Sequence, residues 1–161
     1  MTEAVFRSFL RSWGLLRQAQ EPYFARFGIS ASQWSILRVL QRAEAKGEAE
    51  LPLKEVGERL LIQPPSVTGV VDRLERQGFV RRSPSKTDLR VRHLRLTRPG
   101  RALIAKVLEG HAQRIQSLFA GLQLEEQKTM LGLLQRLEAH LQILVSPPPD
   151  DGASSNEARM N

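Results

Sequence analysis

Apolar positions recur at helical spacing in six stretches of the chain, and each stretch predicts a helix. Over residues 2–27, Val5, Phe6, Phe9, Leu10, Trp13, Leu16, Tyr23 and Phe24 share one face, with Pro22 as a kink or a break. The second helix has an explicit start. Ser30 with Gln33 three residues on forms a capping box, and Ile29 with Trp34 fits a hydrophobic staple. It runs over residues 31–45, where Trp34, Leu37, Val39 and Leu40 pack it beneath the central module of the chain.

The pattern then shortens. Val56 and Leu60 mark a brief helix, Leu61, Ile62 and Gln63 a break, and Val67, Val70, Val71 and Leu74 a second helix. Pro64 and Pro65 are tolerated only in the first turn of that helix, where backbone N–H groups have no intrahelical acceptor to lose. Gly78 ends it. Residues 79–82 and 92–96 form two β-like arms around a polar tip holding Ser83, Pro84 and Asp88, which reads as a hairpin, with Leu51 placed to supply a short third strand. A helix, a turn and a second helix put that second helix in the major groove of DNA, and the hairpin, or wing, reaches flanking backbone or minor groove.

Candidate contacts on the second helix are Gln63, Pro65, Ser66, Thr68, Gly69 and Arg73. Its free N–H groups suit a phosphate, and the small hydroxyls of Ser66 and Thr68 can approach base edges. Arg73 makes a long-range contact, pairs with an acid such as Asp72, or clamps a phosphate. The wing candidates are Arg82, Lys86, Asp88, Arg90 and Arg92.

Thr97 caps a long helix with Pro99 in its first turn and Leu103, Ile104, Val107, Leu108, Ile115, Leu118 and Phe119 along it. Gly121 breaks it. A last helix covers residues 124–145, with Glu125 and Glu126 at its positive end and Leu131, Leu134, Leu137, Leu141 and Leu144 on one face. Phe6, Phe9, Trp13, Leu134, Leu137 and Leu141 are the expected dimerisation residues, because a module this small cannot cover both terminal stripes. Residues 146–161, with three consecutive prolines and a Ser-Ser-Asn run, predict a disordered tail.

Charge sharpens this picture. Residues 51–101 hold twelve Lys and Arg against five acids, an excess of seven, and the whole chain carries 24 against 17 and the same net +7. The excess therefore sits on the helix-turn-helix and wing, the footprint of phosphate binding. Composition also excludes chemistry. There is no cysteine for disulfides or thiolate sites, and the three histidines (His93, His111, His140) are widely separated with no metal-ligand spacing. No phosphate loop or nucleophile elbow is present, so no cofactor, metal or enzymatic activity is expected. No transmembrane stretch or signal-peptide core is seen, and a cytoplasmic location is expected.

The chain resembles the MarR (multiple antibiotic resistance regulator) family of winged helix-turn-helix transcription regulators. The matching residues are Pro-Pro-Ser-Val-Thr at the start of the second helix, Val-Asp-Arg-Leu-Glu-Arg-Gln-Gly at its end, Asp88-x-Arg90, and Leu94-x-Leu96-Thr97-x-x-Gly100-Arg101. The resemblance implies that Arg90 reaches a minor groove, and Asp88 holds the hairpin tip or orients an arginine. Gly69 departs from the family pattern, which often has a longer polar or basic residue there; it reflects drift or a close backbone approach to DNA.

The expected fold is mainly α, a winged helix-turn-helix with a small β-hairpin wing and N- and C-terminal dimerisation helices. Residues 1–145 form one domain, with 30–97 as the winged module and 2–27 and 98–145 as dimerisation helices. The expected function is sequence-specific binding of double-stranded DNA by a homodimer on a near-palindromic operator, repressing transcription. The resemblance implies a small aromatic or acidic effector in a cleft between the dimer helices and the DNA-binding module. The rival reading is a winged-helix module that docks on protein, with little salt dependence, or on RNA, with no preference for duplex DNA.

Overall fold

The computed structural model describes residues 1–60, 66–84 and 92–145 of the chain. In order the elements are α1 (Thr2–Ala25), α2 (Ala31–Ala45), β1 (Leu51–Pro52), α3 (Leu53–Glu58), α4 (Val67–Arg76), β2 (Val80–Pro84), β3 (Arg92–Leu96), α5 (Arg98–Leu118) and α6 (Leu124–Val145). This is the mainly helical winged arrangement that the periodicity predicts. Met1–Leu118 form one compact unit, and α6 belongs to a second that begins at Phe119.

Within the first unit α2 is the central post, in contact with α1, α3, α4, β3 and α5. Its apolar stripe is accordingly wide: Trp34, Ile36, Leu37, Val39, Leu40 and Ala43 are all buried. The expected capping box starts it, with the Gln33 N–H donating to Ser30 Oγ at 3.2 Å and the Ser30 N–H donating to Gln33 Oε1 at 3.0 Å. Gln33 is itself buried, and its amide donates to Gln77 Oε1 at 2.6 Å; Gln77 in turn donates to the Gly28 carbonyl at 3.0 Å. Two glutamines thus tie the corner between α1 and α2 to the end of α4.

The end of α4 is fixed by backbone geometry. Gly78 has φ +76, and the N–H groups of Gly78 and Phe79 donate to the carbonyls of Glu75 and Leu74, each at 2.9 Å. This left-handed cap favours glycine. Thr97 then knots the start of α5 onto it. Its hydroxyl donates to the Gly78 carbonyl at 2.6 Å and accepts the Gly100 N–H at 3.1 Å, while its own N–H donates to the Phe79 carbonyl at 3.1 Å. A Cβ on Gly100 would lie 2.1 Å from that same Phe79 oxygen. The Thr97-x-x-Gly100 spacing is therefore a requirement of the junction.

The sheet has the order β1-β3-β2, with Leu51 opposite Leu94 as the third strand. Ser83 and Pro84, expected at the hairpin tip, lie within β2 opposite His93 and Arg92. A proline is tolerated there because β2 is an edge strand and lacks a second neighbour. The rest of the expected tip, Lys86, Asp88 and Arg90, lies outside the described residues.

Pro22 does not break α1, which continues to Ala25. The exposed length of that helix is more telling: only Tyr23 and Phe24 are buried, and Phe6 and Phe9 are 60% and 45% exposed. In α5 burial is confined to the first half, at Gly100, Leu103, Ile104 and Val107. No residue of α6 is buried, and Met130, Leu134, Leu137, Leu141 and Leu144 repeat at alternating steps of four and three, a coiled-coil seam.

Where α1, α2 and α5 meet, the Tyr23 hydroxyl donates to the Val107 carbonyl, and the rings of Tyr23, Phe24 and Trp34 surround His111 at centroid distances of 6.0, 6.0 and 5.3 Å. Arg38 lies over Trp34, 5.5 Å from its centroid. Burial first, and then the Arg38 charge, lower the His111 pKa below its ordinary 6.5.

Two outcomes are expected. Gly100→Ala forces Phe79 and α5 apart and should cost about 1–3 kcal/mol in urea denaturation, an overpacking penalty; an unchanged midpoint would contradict the junction. His111 binds its proton more weakly in the folded chain than in the unfolded one. Its contribution to stability is complete above about pH 6.5 and is lost as pH falls below that value. The thermal midpoint should decline on acidification through this range, and His111→Gln should flatten the slope. A parallel slope in the variant would remove His111 as the cause.

Candidate nucleic-acid interface

The interface is built outward from α4. Val70, Val71 and Leu74 point into the core, which leaves Thr68, Asp72, Arg73 and Arg76 on the exposed side. Ser66 is the N-cap, with an extended backbone (φ −144), and its Oγ accepts the Gly69 N–H at 3.0 Å. The described helix begins at Val67, and Pro64, expected in its first turn, lies outside the described residues. Capping consumes one lone pair of the Ser66 hydroxyl and leaves its proton free to donate. Gln63 and Pro65 lie outside the described residues.

Gly69 acquires a local reason. A Cβ there would sit 3.2 Å from Ser66 Oγ, tighter than ordinary contact, so a side chain at this position crowds the cap. That constraint is not legible in the sequence, where Ser66 presents itself as a base contact and not as a cap.

Arg82 is not free to reach out from the wing. Its guanidinium bridges α4, 2.7 Å from Asp72 and 2.8 Å from Glu75, and its backbone N–H donates to Glu75 at 2.9 Å. It straps the wing to the recognition helix. Because Asp72 is engaged by Arg82, Arg73 stays exposed with no ion-pair partner among the described residues. Arg76, one turn on, is exposed and unpaired in the same sense. It is absent from the candidates that the sequence suggests, although the three-residue spacing from Arg73 is the available signal. Arg92 opens β3 and is exposed.

The other bases of the module are largely spoken for. Lys54 pairs with Glu58 at 3.7 Å, Arg59 with Glu48 at 2.6 Å and also with Glu55, and Arg101 with Glu44. The hydrogen bond from Arg101 holds the Glu44 carboxyl below its usual pKa. The exposed face of α4 is hydroxylated and cationic. It can bind phosphates and base edges. Among the described residues no group of His, Asp or Glu is arranged to hold a metal ion, and no helix is long and apolar enough to cross a membrane.

Comparison with known proteins agrees with this geometry. The family model described as MarR family matches residues 27–90, from the corner before α2 to the wing. The HTH-type transcriptional regulator PecS of Dickeya dadantii (strain 3937) is 32% identical over 127 residues, spanning 79% of this chain and 75% of PecS. The chain belongs to the MarR family. As a MarR-family protein it is a DNA-binding transcription regulator, and the rival reading as a protein- or RNA-docking module does not stand. Its relatives are transcription regulators.

Two solved structures share the MarR fold with it. A MarR variant from Escherichia coli complexed with operator DNA superposes with a TM-score of 0.74 at 23% identity, covering 83% of this chain and 93% of that one. Bordetella bronchiseptica BpsR, whose DNA binding is regulated by 6-hydroxynicotinic acid, superposes with a TM-score of 0.71 at 24% identity, covering 83% and 92%.

Stability separates the two arginine roles in this MarR protein. Arg82→Ala leaves Asp72 and Glu75 facing each other without their cation, and should lower stability by about 1 kcal/mol. Ser66→Ala should cost a similar amount, about 1 kcal/mol, through loss of the cap. Arg73→Ala should leave the denaturation midpoint unchanged. Equal midpoints for Arg82→Ala and the parent would contradict the strap.

Proposed function

We propose that the chain acts as a homodimer that represses transcription by occupying a near-palindromic operator, with one α4 in the major groove of each half-site. The exposed face of α4 carries this reading: Thr68, Arg73 and Arg76 stand clear of the core with no acid opposing the arginines, and the Ser66 hydroxyl adjoins them. Ser66 and Thr68 take base edges and Arg73 and Arg76 take phosphates. In the wing, Arg92 supports flanking backbone, and the resemblance assigns Arg90 to the minor groove with Lys86 and Asp88 beside it. Arg82 acts indirectly, by holding the wing against α4.

The exposed stripes support the dimer. Phe6, Phe9, Leu137 and Leu141 are each more than two-fifths exposed, Leu134 is 36% exposed, and Trp13 is half-buried. Each such side chain left in water forgoes about 1.5–3 kcal/mol. An isologous interface with a second copy covers them and sets two α4 helices at operator spacing.

An effector of small aromatic, acidic character suits the groove of about 690 Å3 between α1 and α5. Tyr23 and Phe27 give it aromatic walls, and Arg26, Lys106 and Arg114 give it positive charge. The protein acts in the cytoplasm, where its duplex is found.

Selection of bound duplexes from a random pool, with and without small phenolic acids, tests the whole reading. Affinity for the selected duplex should fall steeply with salt, each neutralised phosphate adding about −0.9 to the logarithmic slope. Arg73→Ala should make that slope shallower by about one such increment. A salt-independent affinity would overturn the proposal. For the dimer, Leu137→Glu with Leu141→Glu should yield a monomer in sedimentation and abolish operator binding; a monomeric parent with full operator affinity would contradict it.

A further inference from the structure

A second cationic surface lies at the C-terminal end of α4, the end opposite Ser66. A groove of about 690 Å3 opens where the end of α4, the base of the wing and the start of α5 meet, and Arg81, Arg95, Arg98 and Arg101 line it. Arg81 and Arg95 are direct cross-strand partners of β2 and β3, so their charges sit side by side on one face. Like charges in that position destabilise a sheet. Successive side chains of a strand point to opposite faces, so Arg81 lies on the sheet face opposite that of Arg82, which is engaged by Asp72 and Glu75.

The acids of the groove do not cancel this charge. Glu75 is committed to Arg82 at 2.8 Å, and Glu50 is shared between Arg95 at 3.5 Å and the Ser83 hydroxyl at 3.2 Å. Arg101 is held by Glu44. Arg81 and Arg98 are exposed and have no ion-pair partner among the described residues. A repulsive arginine pair at the mouth of a concave site, next to a further unpaired arginine, fits an anion that bridges them.

We propose that this groove binds a small phosphorylated anion, at a site separate from the duplex-binding face of α4. Its volume falls in the range of about 300–1,000 Å3 typical of small-ligand pockets. The planar guanidinium forks of Arg81 and Arg98 match phosphate oxygens bidentately, with Arg95 completing the charge. The groove wall includes Gly78 and Thr97, whose 2.6 Å hydrogen bond closes the junction of α4 with α5. Occupancy therefore bears directly on the junction that positions the recognition helix.

Calorimetric titration of the full chain with sodium pyrophosphate at constant ionic strength tests the site. Arg81→Gln and Arg98→Gln should each raise the dissociation constant about tenfold, the loss of one charge-assisted contact. Both variants should keep the parent's affinity for its selected duplex, while Arg73→Gln should weaken the duplex and leave pyrophosphate binding intact. No heat of binding, or equal binding by the parent and both groove variants, would overturn the proposal. So would loss of pyrophosphate binding in Arg73→Gln alone, which would place the anion on α4. Loss of duplex affinity in Arg81→Gln or Arg98→Gln would instead make the groove part of the DNA contact and equally overturn a separate site.

Discussion

The position of the recognition helix depends on one knot of hydrogen bonds. Thr97 engages Gly78, Phe79 and Gly100 at once, so the end of α4, the start of β2, the end of β3 and the start of α5 are fixed by a single side chain and four backbone groups. Each hydrogen bond contributes only about 0.5–1.5 kcal/mol. Their value lies in geometry, because the left-handed Gly78 and the close approach at Gly100 admit few alternative arrangements. The Arg82 strap to Asp72 and Glu75 and the Gln33–Gln77 bridge add two further ties to the same helix. These ties gather at the C-terminal half of α4 and leave its N-terminal turn, capped by Ser66, outside them.

Charge is distributed to the same purpose. The four acids of α3 and α4 each neutralise a base: Glu55 and Glu58 act on Arg59 and Lys54, and Asp72 and Glu75 act on Arg82. They stabilise the module internally and leave Arg73 and Arg76 without local competitors. The net +7 is thus directed outward through particular arginines rather than spread over the surface. Asp72 and Glu75 also brace the wing in position through Arg82.

Much of this is legible in the sequence wherever a local rule applies. Helical periodicity locates α2, α4, α5 and α6; the capping box starts α2, Gly78 ends α4 and Thr97 starts α5, through chemistry that operates within a few residues. Leu51 is readable as a strand because it stands just before α3 with an apolar side chain. What escapes depends on tertiary register. Arg82 resembles a DNA contact, and its ion pairs with α4 arise only once the wing folds back on the helix. Ser83 and Pro84 resemble a tip because proline seldom enters strands, yet the edge position of β2 accepts it. The capping role of Ser66 shows only once the start of α4 is placed, and Pro22 is a nominal breaker in a helix that accommodates it.

The proposed duplex-binding surface is the exposed face of α4 together with Arg92 at the start of β3. Amide hydrogen exchange of the full chain, alone and saturated with its selected duplex, tests this most directly. Exchange should slow over residues 66–76 and at Arg92, and remain unchanged over the exposed length of α6. Protection confined to α1 or α6, with residues 66–76 exchanging as in the free protein, would contradict it.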